Sequence, residues 1–236
     1  MYNLACLKNR GEAMKKSWFV TGTDTDVGKT AICCALLSAA NERGLRTAAI
    51  KPVAAGCDSN GHNSDALELQ TAMSERLDYA QVNPVALQRA IAPHIAAKLE
   101  GRNLKASQLE GICRGVMSGS AEFILIEGAG GWRVPLNASE TLADLASRLQ
   151  IGVILVVGMK LGCINHALLT AEAIRRDGLP LAAWVANQVG PRMPQHDDNV
   201  ETLKQLLPAP LLGDVPHIAP YSPHDARKYL SLEALL

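Results

Sequence analysis

The sequence FVTGTDTDVGKT, residues 19–30, decides the fold of this chain, because an apolar run leads into a glycine-containing loop that ends in Gly28-Lys29-Thr30. The following residues are apolar and small, with no helix breaker before Gly44, which predicts a helix capped by that glycine. The N–H groups of such a loop and of a helix start converge on an anion, and the helix dipole adds positive charge there. The segment therefore predicts a phosphate-binding loop.

The spacing of this loop departs from the common P-loop pattern G-x-x-x-x-G-K-[ST]. Five residues separate Gly22 from Gly28 where the pattern has four, so Thr23 stands at the position of the first glycine. The alternative is a strand-turn-helix junction with a fortuitous GKT, but the strand before the loop and the helix after it favour a P-loop. In a P-loop, Lys29 would reach the β- and γ-phosphates, and the Thr30 hydroxyl would hold Mg²⁺.

The composition favours an α/β domain. Of 236 residues, 48% are hydrophobic and only 4% aromatic, so the core must consist mainly of Ala, Val, Ile and Leu, as in buried parallel strands and their covering helices. The 23 basic and 23 acidic residues balance, which argues against a nucleic-acid or anionic-membrane partner. No apolar run approaches the ~18 residues of a membrane span.

The six cysteines show no CxxC pairing and the six histidines no HExxH spacing, so the sequence supports neither a disulfide framework nor a zinc site. We expect small buried thiols in a reducing cytoplasm. Residues 1–14 lack the pattern of a secretory signal and are interpreted as an N-terminal extension, with Met14 as a possible natural start. Residues 15–236 are predicted to form one domain.

Apolar runs bounded by glycine or polar turns alternate with helical patterns along the chain. Besides the strand before the P-loop, we predict strands that end at Lys51, Glu127, Gly158 and Asn187. The predicted helices cover residues 64–73, 93–101, 104–118, 141–150 and 163–178. This succession predicts a single-domain α/β fold of the P-loop NTPase type, with a mostly parallel sheet and helices on both faces.

Three segments are predicted to interrupt this regular alternation. Residues 56–65 are polar and contain glycine, which suits a mobile loop over the site. Residues 208–223 hold five of the twelve prolines and are predicted to be an irregular wrap with little regular structure. The apolar tail YLSLEALL, residues 229–236, is predicted to dock as a final helical turn or two.

Ligands of open α/β sheets bind beyond the carboxyl ends of the strands. The polar residues that fall at such ends are Lys29, Thr30, Lys51, Glu127 and Asn187. Together with Asp65, Thr30 and Glu127 would offer a hydroxyl and two carboxylates, which are ligands that Mg²⁺ prefers. For Asp65 an alternative stands equally: an acidic residue in the first turn that stabilises a helix start.

Lys51 closes the strand AAIKP, where a buried ammonium is costly unless an anion compensates it. Two lysines that converge from neighbouring strand ends suit a reaction in which negative charge builds on a transferring phosphoryl group. A second loop-to-helix start follows at residues 162–166, where free N–H groups could hold a carboxylate. The residues by themselves favour a plain helix start there.

The chain contains, in this order between Lys15 and Leu236, FVTGTDTDVGKT, IKPVAAG, NSDAL, IEGAGGW, VVGMKLGCINHALLT, AAWVANQV and PAPLLGDVP. Together these stretches resemble the dethiobiotin synthetase family, the ATP-dependent ligases of biotin biosynthesis. The resemblance implies a homodimer that converts 7,8-diaminononanoate, CO₂ and MgATP into dethiobiotin, ADP and phosphate. A substrate amine would form a carbamate, ATP would phosphorylate it, and the second amine would close the ring with loss of phosphate.

The resemblance also implies roles for single residues, in four groups. The catalytic residues would be Lys51, Lys29 and Thr25, with Lys51 and Thr25 beside the carbamate. The residues that contact the nucleotide would be Asp26, Val27, Gly28, Lys29, Thr30, Ala31, Asp65, Glu127, Gly128, Ala129, Gly130, Asn187, Gln188, Pro216, His217 and Ile218. The Mg²⁺ ligands would be Thr30, Asp65 and Glu127. The substrate would meet Ala55 and, from the helix start of the partner subunit, Gly162, Cys163, Ile164 and Asn165.

Three features depart from the family pattern. Ala55 stands where the family often has a serine that contacts the substrate. The loop over residues 56–65 is shorter than in relatives. Residues 220–225 lack an obvious counterpart to an acidic residue beside the adenine.

Two other classes share parts of these patterns. A partner-regulated P-loop ATPase of the partitioning or positioning type has an extra lysine early in the loop, as in KGGxGKT, where this chain has Thr23 and Asp24. A membrane-targeting version would also need a basic amphipathic tail, and YLSLEALL carries no positive charge. A small-metabolite kinase would leave IKPVAAG and LGCINHA unexplained.

Overall fold

The computed structural model describes residues 15–236. The strands of this part of the chain are β1 Lys16–Gly22, β2 Thr47–Ile50, β3 Val53–Ala55, β4 Val85–Leu87, β5 Phe123–Glu127, β6 Gly152–Gly158, β7 Leu181–Asn187 and β8 Leu211–Val215. Six of them form one sheet in the order β2-β5-β1-β6-β7-β8, and every neighbouring pair is parallel. The predicted α/β fold with a mostly parallel sheet is confirmed.

Helices connect these strands on both sides of the sheet. Their bounds are α1 Lys29–Glu42, α2 Ser64–Ala72, α3 Tyr79–Val82, α4 Pro93–Leu99, α5 Ala106–Met117, α6 Leu142–Leu149, α7 Cys163–Arg176, α8 His196–Leu206 and α9 Pro223–Ala226, followed by a 3-10 turn at Arg227–Tyr229. All five residues of β5 are buried, so both faces of the sheet are covered. The helix after the P-loop ends as predicted, with Gly44 at φ 76° beyond its last turn.

The register of the sheet brings the predicted site residues to one level. β1 lies at the centre, and Val20 pairs with Glu127 of β5 on one side while Gly22 pairs with Val156 of β6 on the other. Ile50, the last residue of β2, pairs with Ile126, so Lys51 follows at the level of Glu127. Parallel pairing therefore places the P-loop, Lys51 and Glu127 at the same edge of the sheet.

The strand predicted to end at Lys51 is present as β2 and ends one residue earlier, at Ile50. Beyond it, Val53–Ala55 form β3, which was not predicted and pairs with β4 in a separate two-stranded sheet. One prediction about regular structure was wrong. Residues 208–223, predicted to be irregular, contain the edge strand β8. Pairing with β7 forms that strand although its sequence LLGDV has a glycine and an aspartate, which single-residue propensity disfavours in strands. The polar helix α8 was not predicted either.

The apolar tail docks as predicted, with Leu232 and Leu235 buried and the N–H of Leu235 donating to the carbonyl of Leu232. The predicted extension at residues 1–14 lies outside the described residues. Within residues 15–236, no helix is long and apolar enough to cross a membrane.

The thiols of the described cysteines are unpaired, and four of the five are buried. Burial raises the pKa of the Cys113 thiol to about 12, so this group behaves as a small apolar side chain.

Candidate active site

The P-loop has the backbone that a phosphate cradle needs. Gly28 caps α1 with φ 82°, and a Cβ atom there would lie 2.2 Å from Nδ2 of Asn187. The same Nδ2 donates to the carbonyl of Val27 at 2.8 Å, so the end of β7 holds the loop in place. Asp26, in the same loop, also has a positive φ angle, 56°, although it is not a glycine. Only glycine fits at position 28, because both the backbone angle and the space exclude a side chain.

Lys29 is buried at the start of α1, with 7% of its surface exposed. Its ammonium donates to the backbone carbonyl of Asp24 at 3.2 Å. Burial lowers the pKa of Lys29, the positive charge of Lys51 lowers it further, and Glu127 opposes both. The ammonium thus lies where a phosphate would compensate a charge that the protein solvates poorly.

Lys51 lies between two carboxylates. Its Nζ is 2.6 Å from Oε1 of Glu127 and 2.6 Å from Oδ2 of Asp65, and its residue is only 5% exposed. Burial disfavours the ammonium form, but the charges of Glu127 and Asp65 outweigh that effect and hold the pKa of Lys51 above its ordinary value. The hydroxyl of Thr30 donates to the same Oε1 of Glu127 at 2.8 Å. Lys51, Asp65, Glu127 and Thr30, predicted from four separate segments, therefore form one cluster.

The two interpretations of Asp65 both describe its position. Asp65 lies in the first turn of α2. The N-cap of this helix is Asn63, whose side-chain oxygen accepts from the N–H of Ala66 at 3.3 Å. The carboxylate of Asp65 also reaches Lys51. The helix start thus aims an acidic side chain at the cluster.

The cluster fits Mg²⁺. Oε2 of Glu127 is buried and has no hydrogen-bond partner among the described residues, although a buried carboxylate oxygen needs one. Thr30 and Asp65 add a hydroxyl and a second carboxylate, so the donors are all hard oxygen atoms. Glu127, Thr30 and Asp65 are the residues that would hold the ion, together with phosphate oxygens and water.

A cavity of about 1020 Å³ opens above this cluster. The P-loop, Lys51, Asp65 and Glu127 form its polar part, and most of the other lining residues are small or apolar, with Glu68, Arg133 and Tyr221 as the exceptions. Its lining residues include, from the sequence predictions, Thr25, Asp26, Gly28, Lys29, Thr30, Ala31, Lys51, Ala55, Asp65, Glu127, Ala129 and Gly130. The cavity is thus polar where a triphosphate would lie and apolar where an aliphatic chain would lie.

Other predicted nucleotide residues lie beside the cavity and are absent from its lining. The side chain of Val27 is buried, and a Cβ at Gly22 would come within 2.5 Å of it, so only its backbone can meet a ligand. Gly128 donates its N–H to the carbonyl of Val20. Gln188 donates its N–H to the carbonyl of Val215, which joins the ends of β7 and β8.

Asn187, Pro216, His217 and Ile218 belong to this same edge, at or just beyond the ends of β7 and β8. These four residues, all predicted to contact the nucleotide, therefore come together on the side of the P-loop that Asn187 contacts.

The predicted substrate residues 162–165 form the start of α7 and do not line the cavity of their own chain. Gly162 caps α7 with φ 93°, and Cys163 is buried. Lys160, just before this helix, contacts Asp24 in the P-loop at 3.0 Å, and this contact lowers the pKa of Asp24. The helix start is thus linked to the P-loop through Lys160.

The sequence predictions missed several residues of the cavity wall. These are Ala54, Glu68, Ala90, Ile91, Ala92, Pro93, Arg133, Val134, Pro135 and Tyr221. Glu68 lies one helical turn after Asp65, so helical spacing from Asp65 could have predicted it. Tyr221 lies in the proline-rich segment, and no local pattern pointed to it.

The sequence matches known proteins over nearly its whole length. A protein-family model described as an AAA domain matches residues 16–225. The ATP-dependent dethiobiotin synthetase BioD of Cellvibrio japonicus is 56% identical over 225 residues, covering 94% of this chain and 98% of the relative. The protein of the same name from Pseudomonas paraeruginosa is 52% identical over 222 residues, with 93% and 97% covered. That from Yersinia pestis (strain Angola) is 52% identical over 209 residues, with 87% of each covered.

Solved structures show the same architecture at low identity. A ParA family ATPase from Chlorobium tepidum has a TM-score of 0.55 and 13% identity, with 95% of this chain and 99% of that chain covered. The cell division protein MinD from Aquifex aeolicus has a TM-score of 0.55 and 15% identity, with 92% and 88% covered. At such identities the likeness shows the fold alone, whereas relatives above 50% identity across nearly the whole chain show that this chain belongs to the ATP-dependent dethiobiotin synthetase family.

Proposed function

We propose that this protein joins CO₂ to 7,8-diaminononanoate at the expense of ATP and closes the ureido ring of dethiobiotin, releasing ADP and phosphate. The observation that carries the proposal is the cluster in which Lys51 lies between Glu127 and Asp65 at 2.6 Å from each, with Thr30 on the same Glu127 oxygen. A phosphate-binding loop and an apolar-walled cavity share this cluster. A phosphoryl-transfer site and a site for an aliphatic diamine are thus contiguous.

Carbamate formation needs little from the protein beyond position and a deprotonated amine. One substrate amine attacks CO₂, forms the C–N bond and loses a proton, leaving a carbamate anion. The cations that line the cavity include Lys29 and Lys51, which belong to the cluster at the P-loop, and Thr25 adds a hydroxyl. An anion formed in the cavity would therefore be drawn to the P-loop end.

Phosphoryl transfer follows when a carbamate oxygen attacks the γ-phosphorus of ATP and the bond to the β-phosphate oxygen breaks. Bound Mg²⁺ supplies charge neutralisation on the phosphate oxygens, and Thr30, Asp65 and Glu127 are the residues that would hold it. Lys51 would exchange one of its carboxylate partners for the carbamate or the transferring phosphoryl group, and either anion would compensate its ammonium in turn. Lys29 faces the β- and γ-phosphates.

Ring closure requires that the second amine lie close to the carbonyl carbon of the mixed anhydride. That amine attacks the carbon, the C–O bond to phosphate breaks, and phosphate leaves with the electron pair as the amine loses a proton. The apolar walls, with Ala54, Ala55 and Ala92 among their residues, confine the chain that carries both amines. Holding two reacting groups in contact distance supplies a large part of such a rate enhancement.

The predicted homodimer with a shared substrate site is part of the proposal. Leu161 lies directly before the start of α7, and 96% of its surface is exposed. Exposed apolar surface of this kind is typical of an interaction site. The exposed side chains of Ile91, Ile95 and Leu99 follow one another at four-residue intervals on or just before α4, at the rim of the cavity. A second copy that placed Leu161 on this stripe would bring Gly162 to Asn165 to the substrate carboxylate.

The dimer proposal is tested by the mass in solution and the activity of a Leu161→Glu variant. The wild type is expected to have twice the mass of one chain, and the variant to dissociate and lose turnover of diaminononanoate. Leu206→Glu, at an exposed leucine of α8, is the matched control. A monomeric, fully active wild type would contradict the shared site.

The function itself is tested with the purified full chain. Dethiobiotin formation should require ATP, Mg²⁺, bicarbonate and diaminononanoate together, and ATP hydrolysis should depend jointly on bicarbonate and the diamine. Rescue of a biotin auxotroph would support the same conclusion. Stimulation of ATP hydrolysis by DNA, vesicles or a protein partner, without dethiobiotin, would instead favour a partner-regulated ATPase. We also propose that the protein works in the cytoplasm, where its buried cysteines stay reduced.

A further inference from the structure

Tyr221 lies on the cavity wall although it belongs to the wrap after β8, far from the P-loop in sequence. Its hydroxyl donates to the backbone carbonyl of Ala31, in the first turn of α1. Ala31 lines the same cavity and directly follows Thr30, the last residue of the P-loop motif. The residue is 38% exposed and lines the cavity, so part of its side chain is accessible to a ligand there.

The position of Ala31 locates Tyr221 relative to a bound triphosphate. In a P-loop, the loop N–H groups hold the α- and β-phosphates, and the lysine reaches the β- and γ-phosphates. Under the proposed function, the γ-phosphate would lie at the cluster of Lys51, Asp65 and Glu127. The nucleoside therefore leaves the cradle at the α-phosphate end, beside the first turn of α1 to which Tyr221 is bonded.

The segment that carries Tyr221 is anchored to α1. Ser222 caps the short helix α9 by accepting from the N–H of Asp225 at 3.2 Å, and Ala226 is fully buried. Arg227 donates to Glu42 at 2.6 Å and to Ser38 at 3.4 Å, both on α1. The ring is thus fixed by α1 itself, as a binding platform must be.

We propose that Tyr221 is a nucleoside-binding residue, whose ring packs against the nucleoside of the bound ATP and contributes affinity independent of the base edge. The inference rests on the proposed function, since it names a further contact of the same ATP site. A base offers a π-face whatever its hydrogen-bonding edge, so a ring contact tolerates adenine, guanine and cytosine alike. Burial raises the pKa of Tyr221, so its hydroxyl stays a neutral donor to Ala31 and the ring keeps one orientation.

A structural role is the alternative, in which Tyr221 supports the start of α1 and thereby the phosphate cradle. Comparing the affinities for ligands with and without a nucleoside distinguishes these two roles. Calorimetric titration of the full chain with ATP, ADP and tripolyphosphate, without the diamine, measures the nucleoside contribution directly. Variants Tyr221→Ala, Tyr221→Leu and Tyr221→Phe vary the ring, and Tyr229→Ala is the control, a half-exposed tyrosine of the same segment that does not line the cavity.

The expected result is a roughly tenfold weaker affinity of Tyr221→Ala for ATP and ADP, the size of one lost stacking contact, with tripolyphosphate affinity unchanged within about twofold. Tyr221→Leu should lose nearly as much, and Tyr221→Phe and Tyr229→Ala little.

Equal losses for ATP and tripolyphosphate would overturn the proposal in favour of the structural role, and unchanged ATP affinity in both Tyr221→Ala and Tyr221→Leu would also overturn it. Failure of the proposed function is a separate result, namely no dethiobiotin from the wild type whatever its affinity for ATP. Tyr221→Leu preserves apolar packing and keeps the test decisive should Tyr221→Ala unfold.

Discussion

The two buried lysines of the site are held in opposite ways. Lys51, directly after β2, contacts two carboxylates at 2.6 Å, whereas the ammonium of Lys29, at the start of α1, has the carbonyl of Asp24 at 3.2 Å as its one hydrogen-bond partner among residues 15–236. The pKa of Lys51 is accordingly raised and that of Lys29 lowered. The protein itself compensates one ammonium, while the other depends on a phosphate ligand for compensation. Under the proposed function both lysines would serve phosphoryl transfer, but only the ammonium of Lys51 is already compensated by carboxylates of the protein.

Lys51→Gln should have the largest effect, because it removes the proposed catalytic cation and leaves the buried carboxylate of Glu127 without its cationic partner. We expect turnover to fall about 10³-fold or more and the free energy of unfolding to fall by about 3 kcal/mol. Steady-state kinetics and urea denaturation measure the two effects. Lys204→Gln, at a half-exposed lysine of α8, is the control. A Lys51→Gln protein with wild-type rates would remove Lys51 from the proposed chemistry.

Lys29→Gln should lose a similar share of turnover, about 10³-fold, because the cation at the β- and γ-phosphates is gone. Its free energy of unfolding should stay unchanged or rise by up to about 1 kcal/mol, since the variant no longer buries an ammonium that lacks a carboxylate contact. The same denaturation series measures it. A destabilisation as large as that of Lys51→Gln would contradict the difference in charge compensation between the two ammonium groups.

Glu127→Gln tests the carboxylate that Lys51 and Thr30 share. It should weaken Mg²⁺ binding by roughly tenfold or more, because the buried oxygen loses its charge. Titration of ADP with and without Mg²⁺ gives this loss without relying on turnover. Glu110→Gln, at a surface carboxylate paired with Arg114, is the control. An unchanged difference between ADP and MgADP affinity would assign the ion to other ligands.

The pH dependence of stability should separate the lysines by sign. Since the folded pKa of Lys29 is lowered, the unfolded chain binds more protons between that pKa and ~10.4, and the contribution of Lys29 to stability rises with pH there. The contribution of Lys51 is complete below ~10.4 and is lost as pH rises through its higher folded pKa.

Urea denaturation from pH ~7.5 to ~10 should therefore show the stability of the wild type rising relative to that of Lys29→Gln, while its advantage over Lys51→Gln stays constant. Parallel trends for both variants would contradict the opposite pKa directions.

Ala55→Ser should have the smallest effect. Ala55 ends β3 on the cavity wall, and a serine there adds a hydroxyl where the substrate would lie. We expect the KM for diaminononanoate to fall about two- to fivefold with kcat nearly unchanged, as one neutral hydrogen bond allows. A rise in KM would mean that the hydroxyl crowds the wall instead.

The polar half of the site could be predicted from sequence because each of its residues follows a recognisable strand end or helix start. Gly28, Lys29 and Thr30 complete a motif with its own structural context, and Lys51 and Glu127 end apolar runs. The register of three parallel strands then brings them together. The apolar walls had no comparable signal, since alanines and prolines in loops are common everywhere.

The sequence by itself determined the phosphate loop, the alternation of strands and helices, and the family, because these depend on local patterns of glycine, charge and apolar residues. Only the tertiary structure decided that β3 leaves the main sheet, that LLGDV pairs as an edge strand, and that Tyr221 reaches the carbonyl of Ala31. Each of these depends on contacts between segments distant in sequence, and no local preference of the residues concerned encodes such contacts.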